Sequence, residues 1–148
     1  MAEIKPYVDD QFVFKIDLKK DTLLKNKNNY NFKLKIMKSL FDSYEKYLDH
    51  IRKKLIRIRF NTLETEENRI AELKNFERKL NDKNDIIHTI LNYLTPRNAW
   101  IIEKCYLDRA TRSKTTWYEE HFSKTTFYKY KKDAINQFVG YFYDSLLL

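Results

Sequence analysis

Glycine occurs once in this chain, at Gly140, and proline twice, at Pro6 and Pro96. A β-sandwich, a Rossmann fold or a glycine-rich phosphate loop needs residues that accept φ > 0, and a chain this short of them is poorly equipped to make such turns. A mostly helical protein remains. Its apolar share, 43% of 148 residues, suffices for one compact domain or two small ones and argues against general disorder.

Sulfur and imidazole remove further classes. Cys105 is the single cysteine, so neither an internal disulfide nor a thiolate zinc site is expected, and His50, His88 and His121 show no ligand spacing. No cofactor is implied. The opening residues Met1 to Asp10 include acidic groups and no apolar core of signal-peptide length. No stretch approaches the roughly 18 apolar residues of a membrane span. The expectation is a soluble protein of a reducing bacterial cytoplasm, with no membrane partner.

The formal charge of +8 needs discounting, because 21 lysines against 8 arginines and 12 asparagines are what A+T-rich codons produce in any protein. Its distribution says more. Residues 1–60 carry +7, residues 61–95 carry −2 and residues 96–148 carry +3, while the stretch 109–132 alone holds 7 basic and 2 acidic groups. A local excess of that kind is a candidate nucleic-acid footprint. The cluster Arg52, Lys53, Lys54, Arg57 and Arg59 is read instead as a solubilising helix face.

Residues 1–29 read as an N-terminal arm. Phe12-Val-Phe-Lys-Ile-Asp-Leu18 allows a short strand, but Asp10 could equally cap a helix. Lys25 to Asn29 is a polar linker. From Asn31 onward Leu34, Met37, Phe41, Tyr44, Leu48, Ile51, Leu55 and Ile58 alternate three- and four-residue spacing, a heptad seam that an internal hairpin or a homodimer would bury equally well. Asn61 or Thr62 is expected to cap a second helix with Leu63, Ile70, Leu73, Phe76 and Leu80 on one face. The helical hairpin spans 30–83. A third helix then carries Ile86, Ile87, Ile90, Leu91 and Leu94. Thr95-Pro96 starts a fourth over roughly 97–107, burying Trp100, Ile101 and Cys105, with Tyr106 or Leu107.

The segment Thr111 to Ala134 carries the functional signal. Ser113 is expected to cap a short helix holding Trp117 and Tyr118, and Ser123 a longer one running through Ile135, Phe138 and Phe142. On the latter, Phe127, Tyr130 or Lys131, Ala134 and Phe138 face inward, while Lys124, Thr125, Tyr128, Lys129 and Lys132 share the outer face. Hydroxyls and long cations at a helix N-terminus suit DNA recognition: amides and lysines meet phosphates, and Thr, Lys and Tyr reach base edges. Arg112 and Lys114 extend the basic surface on the N-terminal side.

Ser123-Lys-Thr-Thr-Phe-Tyr-Lys-Tyr-Lys-Lys-Asp-Ala134, preceded by Leu94-Thr-Pro-Arg-Asn-Ala-Trp-Ile-Ile-Glu-Lys-Cys-Tyr106, resembles the C-terminal helix-turn-helix of sigma-70 region 4 in the version found in ArpU-like phage transcriptional regulators. A related lineage of small mycoplasma proteins has the same look. The resemblance implies DNA-facing positions for Lys124, Thr125, Tyr128 and Lys129 and buried ones for Phe127 and Ala134. This chain departs from the family at the turn, where His121 or Phe122 stands in place of glycine or asparagine. It departs again in the first helix, where Trp117 and Tyr118 replace a small alanine.

These features define an all-α expectation: an N-terminal arm, a long helical hairpin and, over 84–148, a helix-turn-helix bundle that binds double-stranded DNA and regulates transcription. The rivals are a small sigma-like factor gripping RNA polymerase and a helical scaffold protein with solvated basic faces. No Ser/His/Asp or Cys/His set points to an enzyme, and Asp9-Asp10, Glu66-Glu67 and Glu119-Glu120 fit caps and exposed faces.

Overall fold

The computed structural model describes residues 5–14, 19–61 and 63–147 and is mostly helical. A two-stranded antiparallel hairpin, β1 (Tyr7–Val8) and β2 (Gln11–Phe12), precedes six helices: α1 (Lys20–Lys25), α2 (Tyr30–Arg59), α3 (Glu66–Asn81), α4 (Ile86–Tyr93), α5 (Pro96–Ile102) and α6 (Lys124–Leu147). Among the described residues no helix is long and apolar enough to cross a membrane. The chain forms two compact units, one of residues 1–16 and 42–85, the other of residues 17–41 and 86–148. The division therefore falls inside α2 rather than beside it.

In the first unit, Asp10 caps no helix. Asp9 and Asp10 take φ of 50° and 61° and make the two-residue turn that pairs Tyr7 with Phe12. Positive φ at both central positions matches the twist of a tight hairpin, and aspartate tolerates it better than most residues. The strand is shorter than the alternation of residues 12–18 allows, and residues 15–18 lie outside the described residues. Asp10 fastens the hairpin to α2, with its carboxylate 2.8 Å from His50 Nε2 and 2.7 Å from Lys54 Nζ. Burial opposes the charge on Asp10, but the bonds from Lys54 and His50 prevail and hold its pKa below the usual carboxylate value. Tyr7 stacks on His50 at 3.8 Å, and Phe12 packs edge-on to Tyr44 at 5.2 Å.

The α2 seam is buried within the chain. Met37, Phe41, Tyr44 and Ile51 are buried, as are Ile36, Leu40 and Tyr47 beside them, while Leu48, Leu55 and Ile58 are half-buried. That stripe is wider than a two-position coiled-coil seam and has the width of a globular core helix. Asn29 opens α2 by accepting the Phe32 amide at 3.2 Å.

The second helix differs from its expectation. Thr65, not Asn61, caps α3, its side chain accepting the Asn68 amide, and Thr62 lies outside the described residues. Asn61 instead folds its carboxamide onto the Leu63 amide at 3.0 Å, which makes a turn and leaves Leu63 outside the helix. No residue of α3 is buried. Its contacts with α2 include Lys54, whose ammonium lies 5.3 Å from the Phe76 ring, and Arg59, 3.7 Å from Glu77.

The second unit holds the larger apolar core. Ile87, Ile90 and Leu91 of α4, Leu94 after it, Ile101 and Ile102 of α5, and Phe127, Ala134, Ile135, Phe138, Val139, Phe142 and Tyr143 of α6 are all buried, with Leu23, Ile36, Met37, Leu40 and Phe41. Pro96 opens α5 as expected. The fourth helix changes pitch at its end: Glu103–Leu107 form a π turn, closed by the Asp108 amide on the Glu103 carbonyl at 2.8 Å. Cys105 is half-buried, and burial pushes its thiol pKa up against the pull of Lys131 and a hydrogen bond with Trp117. That describes a packing thiol, not a reactive thiolate.

Candidate nucleic-acid interface

The interface begins with a cap. Ser123 Oγ accepts the Thr126 amide at 3.2 Å and donates to Thr126 Oγ1 at 2.9 Å, while its carbonyl accepts the Phe127 amide at 2.9 Å. Ser123 thus starts α6 as its spacing foretold, and its hydroxyl is engaged in holding the helix terminus.

The residues behind that cap divide by helical phase. Phe127 is buried against Tyr118, ring on ring at 4.0 Å and 5°, with Trp117 edge-on at 5.4 Å. Lys124, Thr125, Tyr128, Lys129 and Lys132 are exposed, so the expected outer-face residues share one side of the first turns. Further along, Ala134, Ile135, Phe138 and Val139 are fully covered. The helix is therefore gripped by its C-terminal half and by Phe127, and it presents its N-terminal side.

The first member of the expected helix pair is reduced. Trp117–Glu120 form a single 3-10 turn after Thr116, and Ser113 caps nothing. The local chemistry accounts for this. The Asp108 carboxylate accepts the Ala110 amide at 2.9 Å and Lys104 at 3.1 Å, and Thr111 Oγ1 donates to the Lys104 carbonyl at 2.7 Å. The loop is thus tied to the end of the preceding helix, and the β-branched Thr115 and Thr116 are poor helix formers. The Ala110 amide, then Lys104, draws the Asp108 pKa down. Arg112 and Lys114 lie on this loop, both exposed.

The bulky turn has its own explanation. No residue of it takes positive φ, His121 sitting at φ −115°, ψ −35°, so glycine is not required there. Both side chains serve as packing: His121 meets Trp100 edge-on at 5.1 Å, and Phe122 meets Tyr130 at 5.4 Å.

One cation on this surface escaped sequence reasoning. Arg97 stacks on the Tyr130 ring at 3.8 Å and pairs with Asp133 at 3.0 Å, on the rim of an open basin of about 440 Å³ that Lys129 and Lys132 also line. The buried Asn98 donates to Gln137 at 2.8 Å and so pins α5 to α6. The signal was the cation directly after Pro96, which places Arg97 in the first turn of α5.

Among family models, curated proteins and solved structures, none matches the chain.

Proposed function

We propose that this protein is a sequence-specific double-stranded DNA-binding regulator of transcription, of ArpU-like type, that inserts the start of α6 into the major groove. The observation that carries the proposal is the phase division of α6. One side of its first turns is locked onto Trp117 and Tyr118, and the other offers three lysines, a threonine and a tyrosine to solvent.

Lys124, Lys129 and Lys132 hold phosphates, while Thr125 and Tyr128 reach base edges. Ser123 acts through the helix by fixing its terminus, and Arg112 and Lys114 add backbone contacts from the loop. Because the first helix of the pair is only one 3-10 turn, α6 is held instead by its packing on α5, which the Asn98–Gln137 bond pins, and by the contacts of Phe127 with Trp117 and Tyr118. Such a regulator works on the nucleoid, in the cytoplasm.

The test is selection of bound duplexes from a fragmented bacterial genome at low salt. A shared sequence is expected among the recovered fragments, and Thr125→Val with Tyr128→Phe is expected to change that sequence while leaving non-specific affinity in place. Absence of any bound fragment at low salt would end the proposal.

A further inference from the structure

The α2–α3 end of the first unit leaves large apolar side chains in water. Ile56 is 60% exposed, Phe60 74% and Leu63 96%. The Phe60 amide still bonds the Ile56 carbonyl at 3.2 Å, so these two share one side of the last helical turn, and Leu63 follows within the connection. Ile70, near the start of α3, is 46% exposed. Single exposed apolar residues are ordinary, but a run of them at one end of a helix pair marks a contact surface.

The surrounding charges say what fits it. Arg52, Lys53, Lys54 and Arg59 are already paired with Glu45, Asp49, Asp10 and Glu77. Near the apolar group, Arg57, Arg69 and Lys74 of one sign, and Glu64, Glu66, Glu67 and Glu72 of the other, have no ion pair among the described residues. These carboxylates beside the apolar group repel an anionic lipid surface or a nucleic acid. A patch with an apolar centre and both signs at its edge is complementary to itself across a two-fold axis, where each charge meets its opposite.

We infer that this end of the first unit is a homodimer contact. Phe60 and Leu63 of one chain pack on those of a second copy, and Arg57 of each faces Glu64, Glu66 and Glu67 of the other. This differs from a dimer through the heptad seam, which the chain's own core already covers. It is also independent of the duplex-binding proposal, since none of its residues lies on α6.

Sedimentation equilibrium of the full chain at about 100 µM, well above the micromolar range of ordinary weak interfaces, tests it. The expected mass is twice the 18.2 kDa of one chain. Phe60→Ser with Leu63→Ser is expected to weaken self-association about 30-fold or more with an unchanged circular dichroism spectrum, since both side chains are exposed. Arg57→Glu alone, and Glu64→Arg with Glu66→Arg and Glu67→Arg alone, are each expected to sediment as one chain, and an equal mixture of the two is expected to recover the doubled mass. A single-chain mass for the unaltered protein, a doubled mass that survives Phe60→Ser with Leu63→Ser, or a mixture that stays monomeric would overturn the inference. So would a monomer that floats with phosphatidylglycerol vesicles.

Discussion

Helices α3 and α6 are both amphipathic, yet they are held by different physics. Helix α6 buries seven apolar side chains, from Phe127 to Tyr143, whereas α3 buries none. Where α6 is fixed by apolar burial, α3 touches α2 through charged groups, Lys54 on the Phe76 ring and Arg59 on Glu77. The difference teaches that a stable platform and an available surface are built from the same periodic pattern, and only the covering partner separates them. For α6 the covered half fixes the geometry that the exposed N-terminal side needs.

Truncation should expose this contrast most strongly. Phe138→Ala, at a fully buried site, is expected to cost about 3–5 kcal/mol in urea unfolding, while Phe76→Ala, half-exposed under two lysines, is expected to cost about 1 kcal/mol or less. Equal losses at the two sites would break the comparison.

Acid sharpens it next. The Asp10 carboxyl has a folded pKa below its ordinary 3.8, so the stability it lends is fully present above that value and is lost as pH falls through the lowered one. Hydrogen exchange at Tyr7 and Phe12 is expected to accelerate below about pH 3.8 in the native protein and to be fast already at neutral pH in Asp10→Asn.

The reading from sequence succeeded where a local rule decides the outcome. Ser123 sits where capping chemistry ends a loop, Pro96 starts α5, and the α2 seam is apolar because it is core. It fell short where the outcome depends on what lies opposite. The spacing of Ile70, Leu73, Phe76 and Leu80 identifies a face but not whether anything covers it. The Asp9-Asp10 turn lacks the glycine that usually announces a two-residue hairpin, so the strand pair was hidden among alternatives. The reduction of the first helix of the expected pair to one 3-10 turn follows from local side-chain ties, Asp108 to Ala110 and Thr111 to Lys104, that apolar periodicity does not display.

The smallest expected effect concerns the scarce residue itself. Gly140 lies inside α6, and a Cβ placed on it would meet nothing within 4 Å, so its backbone freedom is unused. Gly140→Ala is expected to raise stability by about 0.5–1 kcal/mol, read as a shift of the urea midpoint, because the unfolded chain loses freedom while the helix gains a better former. A loss of stability would mean that α6 is held less uniformly than its burial indicates.

The most direct test of the central claim is the salt dependence of duplex affinity, measured by fluorescence anisotropy on a selected fragment. If α6 presents Lys124, Lys129 and Lys132 to phosphates, replacing all three by alanine reduces the slope of log affinity against log salt by about three, roughly one per lost contact, with the urea midpoint unchanged. A slope that stays at its original value while affinity persists would contradict the account, because the anionic partner would then be held elsewhere on the chain.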